Sequence, residues 1–481
     1  MSFSTALWTI LYIASEWIIR IIMILVVPFR RTADAARSWL LLVFFLPWPA
    51  LLLYLFIGRP VFPKWRQERF KRIPEVIALS SNQIRSITEA AEITEASHVI
   101  PYLNEAARFV QNIGLLPMVG NSDVELLQDY QMVIDRLIAD IAQAQEHVHL
   151  LFYIFANDET GQKVIHALKR AVSRGVACRV LIDDVGSRKW IKDIFAELKP
   201  AGVEVHRALP VSFLRRHSAR ADLRNHYKIA VIDSTIGYVG SQNIINADFA
   251  PGILNQELMT RMTGPIVLEL QTLFIVNWFL ETEEELSAKE LLKPTEKTGH
   301  VICQVFPSGP DFTQFGMEHL LITLLHAARD QVVITTPYFI PSESLITAMQ
   351  IAVLRGVEVH LIVSEVTDHQ LVKWAQCSYY SDMMEIGIKI HAYQNKLLHA
   401  KHFSIDDYIA VVGSSNVDMR SFVLNSEVMA LYYDRDVVKR LHAIQDEYFS
   451  NSIVLNLDEW NKRPGLTKIW ENLARMVGPV L

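Results

Sequence analysis

Residues 398–427 read LHAKHFSIDDYIAVVGSSNVDMRSFVLNSE. His399, Lys401 and Asp406 form an H-x-K-x4-D pattern, and a G-S-x-N turn follows at residues 413–416. Apolar and polar residues alternate on both sides of Asp406, which predicts two short strands joined by a turn. The ends of strands hold side chains with little freedom, so this stretch is suited to a catalytic site.

The residue types in this stretch suit chemistry at an anionic phosphoryl group. A histidine acts as nucleophile or general acid near neutral pH, and Lys401 is predicted to share a strand face with His399. A lysine holds a phosphate oxygen as a point charge, while Ser414 and Asn416 offer hydroxyl and amide donors. A carboxylate such as Glu427 is suited to hold the second ring nitrogen of the imidazole.

A metal site is the alternative interpretation of the same residues. Lys401 beside His399 would repel a cation, and no set of His, Cys or Asp with metal-ligand spacing occurs nearby. We therefore expect a site with no metal and no other cofactor.

A second copy of the pattern occupies residues 225–257, NHYKIAVIDSTIGYVGSQNIINADFAPGILNQE. Its polar members have the same types and order as in the first stretch: His226, Lys228, Asp233, Ser241, Asn243 and Glu257. The two histidines are 173 residues apart, as are the two asparagines, whereas the glutamates are 170 apart, so the loop is three residues longer in the first copy. This fixed offset predicts a duplicated module. It disfavours the interpretation that each His and Lys is an ordinary residue of a strand without a functional role.

The residues upstream of each copy alternate between strand and helix patterns. The predicted strands are His147–Phe155, Ala177–Ile182, Val203–Arg207, Gln331–Thr336 and Val357–Val363, and the predicted helices are Leu126–Gln145, Gly161–Ser173 and Ser342–Leu354. Arg174–Gly175 and Arg355–Gly356 end a helix before a strand in both copies. An α/β fold of two similar modules is expected, with both motifs at their seam.

Two apolar runs precede the modules. Leu7–Val27 and Trp39–Ile57 each approach the ~20 residues that span a bilayer, and together they predict a transmembrane helical hairpin rather than a cleaved signal peptide. A buried core hairpin is the alternative. Glu16 and Arg20, spaced i and i+4, mark a contact with another helix or with a second copy in a homodimer, or else a shallow or tilted helix. Prolines 47 and 49 disfavour a straight second helix.

The charge is distributed unevenly along the chain. Residues 1–80 carry ten basic and four acidic residues, whereas the whole chain has a net charge of −6. Three Lys or Arg lie between the apolar runs and six follow the second, which favours a body, and an N-terminus, on the cytoplasmic side. A basic stem beneath an acidic body suits an anionic membrane surface and argues against a nucleic-acid partner. The three cysteines are far apart and fit a reducing compartment.

Other residues are candidates for binding the headgroup or a second phosphate. An arginine run leads into the first motif: Arg215, Arg216, Arg220 and Arg224. A solvated loop is the alternative interpretation. Tyr338, after a predicted strand end, is expected to line the site. At the C-terminus, an apolar stripe from Leu466 to Val477 predicts an amphipathic helix that either lies in the bilayer interface or packs on the protein.

These features resemble the phospholipase D superfamily, whose signature is the paired H-x-K-x4-D motif, and within it the bacterial cardiolipin synthases. The resemblance extends over almost the whole chain and includes the N-terminal hairpin, LRRHSARADLRNHYK, TTPYFIPS, LLHAK and SSNVDMRSF. It implies a division into a membrane hairpin (1–60), a basic linker and helical stem (61–115), two phospholipase D-like modules (116–290 and 291–460) and an amphipathic helix (461–481).

The resemblance also implies an activity and roles. Phosphatidyl transfer would join two phosphatidylglycerol molecules into cardiolipin and glycerol at the bacterial inner membrane. The implied roles are nucleophile and acid for His226 and His399, phosphate binding for Lys228, Lys401, Asn243 and Asn416, orientation of the histidines for Glu257 and Glu427, and support of the motif for Asp233 and Asp406. A membrane phospholipase D, a non-catalytic scaffold and a nuclease are the alternatives.

Overall fold

The computed structural model describes residues 3–31, 33–58, 62, 64–87, 104–211, 219–250, 252–312 and 316–477. The strands within these ranges are β1 (Val119–Leu127), β2 (His147–Phe152), β3 (Ala177–Asp183), β4 (Glu204–Ala208), β5 (Arg224–Asn225), β6 (Lys228–Ile232), β7 (Ile236–Gly240), β8 (Asn255–Gln256), β9 (Met259–Thr263), β10 (Val301–Ser308), β11 (Gln331–Thr335), β12 (Phe339–Ile340), β13 (Glu358–Ser364), β14 (Lys389–Tyr393), β15 (Leu397–Leu398), β16 (His402–Ile405), β17 (Ile409–Gly413), β18 (Val417–Asp418), β19 (Asn425–Tyr432) and β20 (Ser452–Val454).

The helices, in the same ranges, are α1 (Phe3–Val26), α2 (Ala33–Phe45), α3 (Pro47–Ile57), α4 (Lys64–Phe70), α5 (Ile73–Ile87), α6 (Asn104–Gly114), α7 (Tyr130–Gln143), α8 (Glu159–Ser173), α9 (Ile191–Leu198), α10 (Ile266–Thr282), α11 (Ala288–Leu291), α12 (Gly316–Ala327), α13 (Glu343–Leu354), α14 (Gln370–Cys377), α15 (Tyr380–Ile386), α16 (Met419–Val423), α17 (Arg435–Ser450), α18 (Leu457–Asn461) and α19 (Gly465–Val477).

Two halves with the same strand order form one continuous sheet. The first half runs β4-β3-β2-β6-β7-β9-β1, and the second runs β14-β13-β11-β16-β17-β19-β10 with β20 added at its edge. In each half the first three strands are parallel and the motif hairpin pairs antiparallel to them. Antiparallel pairing of β1 with β10, which places Val119 opposite Cys303, joins the halves. The predicted duplicated α/β fold is confirmed.

The local sequence explains where these elements begin and end. Asp158 and Ser342 cap α8 and α13 by accepting hydrogen bonds from backbone N–H groups in the first turn. Gly175 and Gly356, the glycines of the two Arg-Gly pairs, have left-handed φ angles of 90° and 91°, which a side chain would disfavour. Each predicted strand and helix of this region is confirmed to within a few residues at its ends.

The stem packs into the body of the protein. Arginines on and just after α4 bind carboxylates in the last turn of α10, just after α10, or after β10. The pairs are Arg66 with Glu281 and Asp311, Arg69 with Glu283, and Arg72 with Glu285. α5 packs against α10, and α6 packs against α12 and β10. The expectation that these basic residues face the membrane is therefore wrong for Arg66, which is buried between two carboxylates of the body.

The first apolar run forms one long helix, and the second does not. In the described part of the chain, α1 is the helix long and apolar enough to cross a membrane, over Leu7–Val26. The second run breaks at Leu46 into α2 and α3. The ring centroids of Trp39 and Tyr54 are 5.1 Å apart, whereas a straight helix would separate these positions by about 22 Å. α3 therefore folds back along α2.

The turn between α2 and α3 lies beside the middle of α1. Arg20 donates hydrogen bonds of 3.1 and 3.2 Å to the carbonyl of Phe44 and lies 3.3 Å from Glu16, and Trp48 donates to Ser15 Oγ at 3.2 Å. The carbonyl of Phe44 is among the last four of α2, which have no partner within their own helix, and Arg20 supplies its donors. The predicted two-span hairpin is corrected to one long helix and a short helical pair that doubles back.

Candidate active site

Short strands place each motif histidine opposite the other half of the molecule. β5, just before His226, pairs in parallel with Asn425–Ser426, and the N–H of His226 donates to the carbonyl of Ser426 at 2.9 Å. β15, just before His399, pairs in parallel with β8. Each histidine therefore enters the seam one residue after a strand that the opposite half holds.

Each histidine is held by the glutamate of the other motif. Nδ1 of His226 lies 2.9 Å from Oε2 of Glu427, and Nδ1 of His399 lies 2.7 Å from Oε1 of Glu257. All four side chains lie at the seam, and both glutamates are buried. A carboxylate on Nδ1 fixes the tautomer that leaves Nε2 as the reactive nitrogen. The crossed pairing links the motifs into one site.

The two motif lysines are buried beside the histidines. Nζ of Lys228 donates to the carbonyl of His226 at 2.6 Å, and Lys401 makes the same contact with the carbonyl of His399. Burial lowers the pKa of both lysines, that of Lys401 to about 8, although Glu257 and Glu427 oppose the effect. Each lysine lies at or just before the start of its strand, so a shared strand face with the histidine is not what brings the two together.

The histidines have different electrostatic surroundings. Burial, together with Lys228 and Lys401, lowers the pKa of His226 well below its ordinary value. Burial also lowers the pKa of His399, but Glu257 opposes this effect. The pKa of both imidazoles is therefore lowered, and the carboxylate of Glu257 limits this effect at His399.

The glutamates differ in the same way. Burial raises the pKa of Glu427 to about 7, although Lys228 opposes it. At Glu257 burial acts in the same direction, but His399 and Lys401 outweigh it and the pKa is lowered. The two halves of the site are alike in residue type but differ in the pKa of their glutamates.

The Ser and Asn residues of the G-S-x-N turns support these groups. Ser414 Oγ donates to Glu427 Oε2 at 2.5 Å, whereas Ser241 Oγ donates to the Leu258 carbonyl at 3.2 Å. Asn243 Oδ1 accepts from the N–H of Ile154 at 3.0 Å. Asn416 is buried at the equivalent position.

The motif aspartates bind backbone at the start of the central strands. Asp233 accepts from the N–H groups of residues 145–147 at 2.8 Å each, and Asp406 accepts from those of residues 329–331. Both have left-handed φ angles, 51° and 48°. Their contacts shape the turn of the motif hairpin and do not involve the histidines.

The arginines of the run that the structure describes form ion pairs within the protein, and their predicted role in binding a headgroup stays a prediction. Arg224 is buried and pairs with Asp183 at 3.2 Å, and Arg220 pairs with Asp222. Asp183 also accepts from the N–H of Asn225 at 3.0 Å, so the Arg224–Asp183 pair fixes the strand before His226. Arg215 and Arg216 lie outside the described residues.

Aromatic side chains line both halves of the site. The hydroxyl of Tyr338 donates to Asp368 at 2.6 Å, and Asp368 also stabilises charged Lys401. The ring of Tyr153 contacts that of His226 edge to face, with centroids 4.8 Å apart. Sequence reasoning missed Tyr153, although it follows the end of β2 much as Tyr338 follows β11.

A buried chain of polar side chains, which no sequence pattern predicts, connects the stem to this site. Arg66 binds Asp311 with two hydrogen bonds of 3.1 and 3.0 Å. Asp311 accepts a third, of 3.0 Å, from Ser426, the neighbour of Glu427. The helix that follows the membrane segment therefore contacts the strand that carries a catalytic-site glutamate.

Metal ligands are sparse in the described ranges. The group that could hold an ion there is His300 with Asp434 and Asp436, on an exposed or half-exposed surface. None of these three residues is among the predicted site residues.

The fold and the crossed site define a protein with two phospholipase D-like domains. The family model described as "Cardiolipin synthase, PLD-like domain" matches residues 137–278 and 321–449. Cardiolipin synthase A of Wigglesworthia glossinidia brevipalpis is 32% identical over 98% of this chain and 96% of its own. Cardiolipin synthase A of Yersinia pestis is 33% identical over 94% of each chain.

The chain belongs to the cardiolipin synthase family. Among solved structures, phosphatidylserine synthase of Haemophilus influenzae Rd KW20 aligns with a TM-score of 0.60 at 16% identity, covering 78% of this chain and all of its own. That likeness concerns the fold.

Proposed function

We propose that this protein is a membrane phosphatidyltransferase that joins two phosphatidylglycerol molecules into cardiolipin and glycerol through a phosphatidyl-histidine intermediate. The observation that carries the proposal is the crossed pairing of His226 with Glu427 and His399 with Glu257. It supplies two imidazoles of fixed tautomer in one buried site that also holds two lysines, and a two-step displacement at phosphorus needs both imidazoles.

The first step forms the intermediate. Nε2 of His226 attacks the phosphorus of one phosphatidylglycerol, the bond to the glycerol oxygen breaks, and protonated His399 gives its proton to the leaving alkoxide. Lys228 and Lys401 offset the charge of the phosphoryl oxygens. We assign His226 as the nucleophile because burial and the two lysines favour its neutral form, and His399 as the acid because Glu257 supports its proton.

The second step transfers the phosphatidyl group. The terminal hydroxyl of a second phosphatidylglycerol gives its proton to neutral His399 and attacks the phosphorus. The P–N bond to His226 breaks, cardiolipin leaves, and the starting protonation states return. In this scheme Asp233, Asp406, Arg220 and Arg224 hold the framework, and Tyr153 and Tyr338 line the walls.

The test is product analysis with purified protein in detergent and phosphatidylglycerol as sole substrate. We expect cardiolipin and glycerol in equal amounts, whereas phosphatidic acid as the main product would assign the protein as a hydrolase. His226→Ala and His399→Ala are each expected to abolish transfer, and His166→Ala, at an exposed histidine of the first half, should not. Near-normal turnover by either motif variant would overturn the shared site.

We further propose that the catalytic body lies on the cytoplasmic side and that the N-terminus lies on the opposite side. If α1 spans the bilayer and the α2–α3 pair returns to the body side, Arg30, Arg31 and Arg37 join the six basic residues between positions 59 and 72 on that side. Nine Lys or Arg residues close to the membrane segment would then lie on the side of the body, which favours the cytoplasmic face for it. Burial and the guanidinium of Arg220 lower the pKa of Arg31, which places the end of α1 near the body.

Labelling with an impermeant maleimide tests this arrangement. The three native cysteines are buried, so introduced cysteines can be read separately. We expect Ser4→Cys to react in intact spheroplasts and Lys71→Cys to react only after lysis. Reaction of both positions under the same condition would contradict one crossing.

A further inference from the structure

The last helix presents its apolar face outward. Leu466, Ile469, Trp470, Leu473 and Met476 of α19 have exposed fractions between 47% and 73%. Their spacing places them on one side of the helix. A helix docked on a soluble body would turn this side inward, because burial of apolar surface is the main gain of packing.

The polar side of α19 docks on the protein instead. Glu471 and Ala474 are the buried residues of the helix. Glu471 accepts from Arg463 at 3.0 Å, and the guanidinium of Arg475 lies 4.2 Å from the ring centroid of Tyr379 and 3.0 Å from Asp382. These contacts fix the orientation of the helix, so its apolar side is held facing outward by specific interactions.

A neighbouring helix extends the same surface. Trp374 of α14 is partly exposed and stacks on Trp470, with ring centroids 6.4 Å apart. We name the surface formed by Trp374, Leu466, Ile469, Trp470, Leu473 and Met476 the apolar platform. A contiguous exposed patch of this kind marks an interaction site, whereas single exposed apolar residues do not.

The apolar platform adjoins the wall of the active site. Asp368, which accepts from the Tyr338 hydroxyl, lies two residues before α14, and the N–H of Phe339 donates to Gln376 within that helix at 2.9 Å. Arg66 of the stem reaches the other wall through Asp311 and Ser426. The stem thus reaches the strand that carries Glu427, and the platform adjoins Tyr338 and Asp368; all of these residues belong to the second half of the molecule.

We propose that the apolar platform inserts into the interfacial layer of the anionic bilayer that holds α1. Trp, Leu and Ile on one helix face, bordered by Lys462 and Lys468, form the pattern of a helix that lies in this layer, and tryptophan favours the headgroup level. The anchor already brings the body to that surface. Docking of the second half would hold the opening of the active site against the bilayer that contains both lipid substrates. Only this functional consequence rests on the proposed function.

The test places a fluorescent probe on the full-length protein in phosphatidylglycerol-containing vesicles. An NBD group at Leu466→Cys is compared with one at Asn472→Cys, which lies on the polar border of the same helix. We expect blue-shifted emission and at least about twofold stronger quenching by shallow spin-labelled lipids at position 466, because only that side chain reaches the acyl boundary. Equal, weak quenching at both positions would overturn the proposal.

Activity gives the second reading. Ile469→Glu should reduce cardiolipin synthesis in vesicles about tenfold, because burial of one such side chain contributes a factor of ten or more, and should leave synthesis in mixed micelles unchanged. Asn472→Glu adds the same charge to the same helix and should behave as wild type. Equal loss in vesicles and micelles would assign a structural role, and a halved particle mass for Ile469→Glu would assign the platform to a second copy. Strong quenching at position 466 in a protein without synthase activity would support membrane docking of the platform and refute the proposed reaction.

Discussion

The crossed pairing of histidine and glutamate predicts different effects for two carboxamide substitutions. Glu427→Gln removes the carboxylate at His226, and Glu257→Gln removes the one at His399. A hydrogen bond to a charged group contributes about 1.5–3 kcal/mol, and 1.36 kcal/mol corresponds to a tenfold change in rate. Each substitution should therefore slow phosphatidylglycerol turnover by about 10- to 150-fold.

A substrate with a good leaving group separates the two roles. A phosphatidyl ester of p-nitrophenol needs no acid to release its leaving group, so its burst of p-nitrophenol reports attack by the nucleophile alone. We expect Glu257→Gln to keep the burst and Glu427→Gln to lose it by the same 10- to 150-fold. Glu159→Gln, at an exposed carboxylate, is the control and should change neither reaction.

The position of the adduct makes the outcome decisive. The His399→Asn variant should accumulate a phosphatidyl-histidine adduct with the same ester, because transfer of the phosphatidyl group away from the enzyme lacks its base. Mass spectrometry should find this adduct on His226. An adduct on His226 combined with a burst that is lost in Glu257→Gln and kept in Glu427→Gln would refute the crossed pairing. An adduct on His399 would refute the assignment of the nucleophile.

Three further predictions follow from the same contacts. Arg66→Met leaves two buried carboxylates unpaired and should cost about 3–5 kcal/mol, lowering the apparent unfolding midpoint in detergent, whereas Arg72→Ala breaks a pair that is more than half exposed and should change it little. The profile of kcat/KM against pH should fall toward alkaline pH, because His399 loses the proton that the leaving group needs and Lys401, with its pKa of about 8, loses its charge; a flat profile from pH 6 to 9 would contradict both roles. Deletion of residues 1–60 should reduce activity on bilayer phosphatidylglycerol more than on short-chain soluble analogues, and equal loss on both would assign the membrane segment to the fold.

The sequence alone determined the duplicated fold and the residue types of the site. A fixed offset of 173 residues between His226 and His399 is a one-dimensional signal, and strand and helix periodicities are local. The turn aspartates and the Arg-Gly helix ends follow from the same local rules. The strands, helices and turns depend on residues that are close in sequence, and the offset follows from comparing two stretches of the chain, so neither prediction needed a structure.

The tertiary structure alone decided which groups meet. Glu427 is 28 residues from His399 and 201 from His226, yet it binds the latter, because β5 pairs with β19 across the seam. Arg66 and Arg224 are buried in ion pairs with Asp311 and Asp183. The sequence does not predict these pairs, because each carboxylate is distant in sequence and no local pattern links it to its arginine. The doubling back of α3 and the outward face of α19 have the same cause: composition sets how apolar a segment is, but packing against remote elements sets which way that segment faces.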